Sequence, residues 1–177
     1  MNVQEILQKY LINYLANMQR ILENKQYIDC GAVQLLKKGN IFSVSENNRK
    51  YVANINNNSI VYKLTIDPNN NKQKIGIIMD GKKCDYGMFL SDNKRIYLIE
   101  LKGSNIDDAY EQLYITYKWF NSNTQIKSIM NYRFRVVASK VRKVPALNKN
   151  RNMLIKNGID KDNIIVRVNE LKEPDSI

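Results

Sequence analysis

Two carboxylates and one ammonium in the middle of the sequence could act together in chemistry. Asp85 lies in the segment "KCDYGMFL" (83–90), and Glu100 and Lys102 end the segment "KRIYLIELK" (94–102). Carboxylates held close together repel each other unless a cation lies between them, and Mg²⁺ or Mn²⁺ prefer such oxygen ligands. An ammonium beside the cation can position a water molecule or stabilise charge that develops on a substrate. The three residues therefore predict a metal-assisted hydrolysis site, provided that the fold brings them together.

The two segments have the pattern of an antiparallel hairpin. Both are rich in apolar residues, and only residues 91–93 separate them. Alternate residues of a strand share a face, so Glu100 and Lys102 point to the same side of the second strand. Asp85 lies at the end of the first strand that is remote from the loop, and antiparallel pairing brings that end beside Glu100.

A helix is predicted immediately after this hairpin. Gly103 ends the apolar run, Ser104 is the predicted N-cap, and Asp107 and Asp108 fall in the first turn, where carboxylates favour a helix. One apolar stripe follows at three- and four-residue steps, formed by Ile106, Ala109, Tyr110, Leu113, Tyr117 and Phe120. The pattern thus switches from strand to helix directly after Lys102.

The remaining patterns complete one α/β domain over residues 1–177. Further helices are predicted over residues 2–24 and 146–158. Further strands are predicted over residues 33–36, 41–44, 51–55, 59–66, 73–79, 132–141 and 163–171, with the Asn-rich turn "DPNNN" between the fourth and fifth of these. Strand-helix-strand connections favour parallel pairing, whereas the hairpin is antiparallel, so we expect a central mixed β-sheet with flanking helices.

The composition indicates a class of partner and excludes several kinds of active site. The formal net charge is +11, and a surplus of this size attracts the phosphate backbone of nucleic acid. The many Asn, Lys and Ile residues are also what an AT-biased genome produces, so charge alone leaves a second explanation open. The chain contains no histidine, which excludes Ser-His-Asp and Cys-His triads and metal sites with imidazole ligands.

The sequence also indicates where the protein resides. Cys30 and Cys84 lie far apart and form no metal-binding spacing, so we expect two free thiols in a reducing cytosol, with one disulfide as the alternative. The N-terminal residues lack the charged and apolar regions of a secretory signal. Because no apolar run approaches about 18 residues, no membrane span is expected. These features predict a cytoplasmic protein.

The Asp85 and Glu100-x-Lys102 pattern, followed by a helix, resembles the PD-(D/E)XK nuclease (restriction endonuclease-like) superfamily, whose core is a helix, three strands, a helix and a strand. The resemblance covers residues 74–141 together with the first predicted helix, and Cys84 stands where the family pattern has proline. It implies that Asp85, Glu100 and the backbone carbonyl of Leu101 bind Mg²⁺ or Mn²⁺. It further implies that Lys102 serves the attacking water.

Two more sets of residues complete this hypothesis. Some members of the superfamily place a glutamine on the helix after the motif, and Gln112 occupies a comparable place here. A basic segment follows the next predicted core strand and could bind phosphates along a groove; it consists of Lys140, Arg142, Lys143, Lys149 and Arg151. The same segment could instead be a solvated loop.

The resulting prediction is a Mg²⁺-dependent nuclease or endonuclease, a hydrolase that cleaves DNA rather than RNA in DNA processing or defence, acting as a homodimer. Its rivals are a non-catalytic nucleic-acid-binding module and a protein-binding module on the same fold. An acidic-x-Lys triplet is weak support by itself, because the chain contains several, including a second "ELK" at residues 170–172. Only Glu100 has an upstream hairpin partner, a following glycine and a following amphipathic helix.

Overall fold

The computed structural model describes residues 20–23, 25, 28, 32–36, 41–56, 60–68, 76–78, 80–91, 94–123, 131–140 and 149–173. Within them the chain is a mixed α/β fold. The strands are β1 Val33–Leu36, β2 Ile41–Glu46, β3 Arg49–Asn54, β4 Val61–Thr65, β5 Tyr86–Leu90, β6 Arg95–Lys102, β7 Asn131–Ala138, β8 Ile164–Val168 and β9 Glu170–Lys172. The helices are α1 Ile106–Asn123 and α2 Lys149–Lys156, and a short 3₁₀ helix, Lys161–Asn163, precedes β8.

A central mixed sheet positions the candidate site. Its strand order is β1-β4-β5-β6-β7-β8. The pairs from β1 to β6 are antiparallel, whereas β6-β7 and β7-β8 are parallel. The expected β5-β6 hairpin and the mixed sheet are both present. Because β6, β7 and β8 run in the same direction, their carboxyl ends lie along one edge of the sheet, which we call the carboxyl edge.

A second sheet, which the sequence patterns did not separate from the first, covers one face of the central sheet. It has the order β2-β3-β9, and the β2-β3 hairpin turns at Asn47 and Asn48, both with positive φ. Two successive left-handed residues match the twist of a two-residue hairpin turn, and Asn tolerates that conformation well. Inward-facing side chains such as Phe42 and Tyr51 pack between the sheets against Leu101.

Helix α1 covers the opposite face of the central sheet. All six residues of its predicted apolar stripe are buried there, together with Leu98 of β6, so this expectation is confirmed. The predicted N-cap is wrong by one position. Helix α1 begins at Ile106, and the side chain of Asn105, not that of Ser104, accepts a hydrogen bond from the Asp108 N–H at 3.2 Å.

The predicted strand 73–79 is wrong over its described part, residues 76–78, which are irregular. A Cβ on Gly76 would lie 2.2 Å from the carbonyl oxygen of Ile66, so the glycine lets this segment cross very close to the end of β4. Ile77 and Ile78 are buried in the core beneath α1. The apolar run therefore reflects burial of a connecting segment, and β4 pairs with β5 instead.

The single strand predicted over 163–171 is in fact two strands in different sheets. Asn169 has a φ of 61°, which ends β8 and starts β9 on the second sheet. Glu173, directly after β9, forms an ion pair with the buried Arg135 of β7 and accepts a hydrogen bond from the Tyr51 hydroxyl at 3.0 Å. Because Arg135 belongs to the central sheet and Tyr51 to the second sheet, this buried cluster joins the two sheets. The ion pair also gives the buried charge of Arg135 the partner of opposite sign that it requires.

Most of the helix predicted over residues 2–24 lies outside the described residues, although residues 20–22 are helical and Leu22 is buried in the core. Cys84 is a buried free thiol, as expected, while Cys30 lies outside the described part of the chain. In the part of the chain that the structure describes, no helix is long and apolar enough to cross a membrane.

Candidate active site

The hairpin brings Asp85 and Glu100 together at its open end. Tyr86 pairs with Ile99, so the next residue on each strand, Asp85 and Glu100, is also opposed. The Leu101 N–H donates a hydrogen bond to Asp85 Oδ2 at 2.7 Å, and the Asp85 N–H donates to the Glu100 carboxylate. Both carboxylates are buried, with exposures of 4% and 2%. The open end of the hairpin thus holds two acidic groups away from solvent.

Helix α1 fixes the segment that leads into Asp85. The Gln112 amide nitrogen donates to the Lys83 carbonyl at 2.9 Å, and the Cys84 N–H donates to the Thr116 hydroxyl at 2.8 Å. Both contacts satisfy backbone groups that no strand partner reaches. Because they come from successive turns of one helix, they set the position of Asp85 relative to α1.

The environment of Glu100 disfavours its ionised form. Burial, and secondly the charge of Asp85, raise its pKa from 4.5 to about 9, although nearby Lys102 acts in the opposite direction. Its Oε2 atom is buried and has no hydrogen-bond partner among the described residues. A buried acceptor without a partner is unfavourable, so this atom is available to a ligand that carries positive charge or a donor.

The Lys102 ammonium is held above this pair. It donates to the Gln112 side-chain oxygen at 2.7 Å, forms an ion pair with Asp108, and lies 3.9 Å from Glu100 Oε1. The hydrogen bond from Lys102 lowers the pKa of Asp108. Lys102 is about one-quarter exposed, so it can reach a group that enters from solvent.

The oxygen atoms here suit a hard cation. In an antiparallel ladder a residue sends its N–H and its C=O to the same neighbour, so the Leu101 carbonyl faces the same side as Asp85. Together with the orphaned Glu100 Oε2, this gives two carboxylates and one carbonyl, a donor set that fits Mg²⁺ or Mn²⁺. Among the described residues, no group of three or more Cys, His, Asp or Glu side chains could hold a metal.

The predicted phosphate-binding residues are only partly described. Lys140 is exposed just after β7, and the Ser139 N–H donates to the Lys102 carbonyl at 3.2 Å, so Lys140 lies at the carboxyl edge. Lys149 and Arg151 begin helix α2. The Arg151 side chain hydrogen-bonds to Tyr110, and the neighbouring Asn150 side chain approaches the Asp107 carbonyl of α1 at 3.5 Å. Arg142 and Lys143 lie outside the described residues.

Two polar residues near the site were not identified from the sequence as parts of it. Asp108 pairs with Lys102, and Thr116 holds Cys84. The signal for Asp108 was present, because it precedes Gln112 by four residues and therefore lies on the same face of α1. Thr116 continues that face by another four residues. The polar stripe Asp108, Gln112 and Thr116 thus marks the site side of the helix.

Comparisons with protein-family models, curated proteins and solved structures gave no match to this chain.

Proposed function

We propose that the chain is a Mg²⁺- or Mn²⁺-dependent nuclease that hydrolyses phosphodiester bonds, in DNA rather than RNA. The observation that carries this proposal is the meeting of Asp85 and Glu100 at the open end of the hairpin, with Lys102 beside them. The orphaned Glu100 Oε2 supports a cation site, and the net charge of +11 supports a polyanionic substrate.

We further propose that the core of the fold is restriction endonuclease-like. Strands β4, β5 and β6 are antiparallel neighbours, α1 follows β6, and β7 then pairs parallel to β6. This order agrees with three strands, a helix and a strand. The resemblance of the Asp85 and Glu100-x-Lys102 pattern to the PD-(D/E)XK superfamily supports the same assignment.

Each residue of the site has a role in this proposal. Asp85, Glu100 and the Leu101 carbonyl hold the cation, which when bound supplies Lewis-acid polarisation of the phosphodiester and a nucleophile at neutral pH. Lys102 positions the attacking water and stabilises negative charge on the phosphate. Gln112 acts indirectly, because its hydrogen bond fixes the Lys102 ammonium. Burial of both carboxylates excludes bulk water from the donor atoms.

A non-catalytic nucleic-acid-binding module is the second candidate. The ion pair between Lys102 and Asp108 favours it, because an ammonium already neutralised by a carboxylate is less able to serve water or phosphate. The nuclease proposal therefore requires Lys102 to exchange Asp108 for substrate. The two candidates differ in whether divalent cations bind and whether Lys102 is needed for a reaction.

The test is a cleavage assay on duplex, single-stranded and branched DNA and on RNA, with Mg²⁺ or Mn²⁺. Lys102→Ala and Asp85→Asn should abolish cleavage. Lys172→Ala, in the second Glu-Leu-Lys triplet, should retain it, because Lys172 is exposed on β9. A wild-type protein that cuts none of these substrates, or a Lys102→Ala variant that cuts as fast as wild type, would refute the proposal.

A further inference from the structure

A second charged group lies at the carboxyl edge, on the opposite face of the sheet from Lys102. Arg49 begins β3 and is only 7% exposed. Its Nε donates to the Glu46 carbonyl at 3.1 Å, and among the described residues its terminal nitrogens have neither a carboxylate nor a hydrogen-bond acceptor. Buried guanidinium groups are normally paired, because an uncompensated buried charge is costly. The terminal nitrogens of Arg49 are not among the buried side-chain atoms without a partner in the described structure, so they keep contact with solvent and can bind an anion that enters from it.

Arg49 is close to the candidate active site. Its Nη1 lies 3.9 Å from the position that a Cβ on Gly103 would occupy, and Gly103 directly follows Lys102. Backbone hydrogen bonds also connect the start of β3 to the carboxyl edge. The Lys50 N–H donates to the Asn169 carbonyl, and the Asn169 N–H donates to the Ala138 carbonyl, each at 2.8 Å. Two backbone hydrogen bonds thus link the start of β3 to the carboxyl end of β7.

Arg49 also borders an open pocket of about 540 Å³. The pocket is lined by the β2-β3 turn and the β8-β9 junction, namely Ser45, Glu46, Asn47, Asn48, Arg49, Lys50, Asn169 and Glu170. Its three asparagines and one serine provide neutral donors around the guanidinium. Glu170 pairs with Lys172 at 3.4 Å, and Glu46 is the residue opposite Arg49 in the β2-β3 hairpin.

We propose that this pocket is a phosphate subsite, in which Arg49 binds a backbone phosphate of the nucleic-acid strand adjacent to the phosphodiester that is cleaved. The planar guanidinium with free terminal nitrogens can bind two phosphate oxygens at once. The inference rests on the proposed function for the identity of the strand, but the pocket, the arginine that lines it and the position of that arginine beside Gly103 are independent of that function.

The experiment measures binding without cleavage. Fluorescence anisotropy of a labelled single-stranded and a labelled duplex oligonucleotide is followed in EDTA over a range of NaCl concentrations. We expect Arg49→Gln to weaken binding about tenfold and to reduce the slope of log K against log[NaCl] by about 1. Lys161→Gln is the control, because it also removes one positive charge. Lys161 is exposed and precedes the amino end of β8, so it lies away from the carboxyl edge.

Three further measurements separate this role from other roles. Arg49→Lys should keep the salt slope but lose part of the affinity, because lysine cannot bind two oxygens in the same way. Arg49→Gln should unfold at about the same urea concentration as wild type, because the guanidinium forms no ion pair with a described residue and surface charges contribute little to stability. A 5′-mononucleotide should compete only at far higher concentration than the oligonucleotide; if it binds equally tightly, the ligand is a free nucleotide and the proposal is wrong.

The outcomes also distinguish this proposal from the nuclease proposal. If Arg49→Gln binds both oligonucleotides with wild-type affinity and slope, the subsite is refuted even when wild type cleaves DNA. If wild type cleaves nothing but Arg49→Gln loses affinity and slope as expected, the subsite is supported and the nuclease proposal fails.

Discussion

The strongest quantitative prediction concerns Glu100. Replacing it with glutamine preserves the shape of the side chain and removes its charge at a position that is 2% exposed. The pKa of Glu100 is raised from 4.5 to about 9, mainly by burial. At pH 7 the folded protein therefore carries a protonated Glu100, whereas the unfolded chain carries a carboxylate. Folding takes up a proton, and the wild-type protein is destabilised relative to a neutral side chain.

The magnitude and its sign follow from proton linkage. Between pH 4.5 and about 9 the folded state binds more protons at Glu100, so the free energy of unfolding falls as the pH rises. Each pH unit above 4.5 costs about 1.4 kcal/mol, which amounts to about 3 kcal/mol at pH 7. Glu100→Gln should thus equal wild type near pH 4.5 and exceed its stability by about 3 kcal/mol at pH 7.

The assay is urea unfolding at pH 5, 6 and 7 in EDTA, followed by the fluorescence of the single tryptophan, Trp119. The control is Glu170→Gln, the same change in the second Glu-Leu-Lys triplet, where the side chain is 42% exposed. That control should change the free energy of unfolding by less than about 0.5 kcal/mol at each pH. A Glu100→Gln variant that is less stable than wild type, or a difference that does not grow with pH, would show that Glu100 is not a buried protonated acid.

Three other predictions test the rest of the site. Millimolar Mg²⁺ should raise the thermal midpoint of wild type, by an amount equivalent to about 3 kcal/mol at a hundredfold excess over Kd, and Asp85→Asn should abolish the shift; an equal shift in both proteins would place the cation elsewhere. Gln112→Ala should lower the free energy of unfolding by about 1–2 kcal/mol, because it leaves the Lys83 carbonyl without its donor, and should lower kcat with little change in KM for DNA. Asn105→Ala should cost about 1 kcal/mol in urea unfolding through loss of the helix cap, and a larger cost for Ser104→Ala would contradict the capping assignment.

The hairpin and the placement of its charges could be predicted because the signals are local. A three-residue loop between two apolar segments fixes antiparallel pairing, and the two-residue period of a strand fixes the face of Glu100 and Lys102. The helix after Gly103 is equally local, since its stripe and first-turn acids lie in one continuous segment. These are the parts of the prediction that the structure reproduces to within a few residues.

The parts that could not be predicted depend on distant segments. Residues 76–78 look like a strand because they are apolar, but the close approach of Gly76 to Ile66 is visible only in three dimensions. The division of 163–171 into β8 and β9 depends on the left-handed conformation of Asn169. The chain is rich in asparagine, so the sequence does not single this residue out. No sequence pattern indicated a role for Arg49, because its burial beside Gly103 depends on how the second sheet packs against the first.

The two Glu-Leu-Lys triplets show what the fold adds to a short sequence pattern. Glu100 lies on β6, between β5 and β7 in the six-stranded sheet and beneath α1, so its carboxylate is buried beside another acid. Glu170 lies on the short strand β9, where its carboxylate meets only solvent and Lys172 in the described structure. The same three letters therefore give one group whose ionisation costs several kcal/mol and one whose charge is screened. The attraction of a bound cation for the ionised Glu100 and the adjacent Asp85 would offset that cost, which is why we propose the chemistry at the first triplet and not at the second.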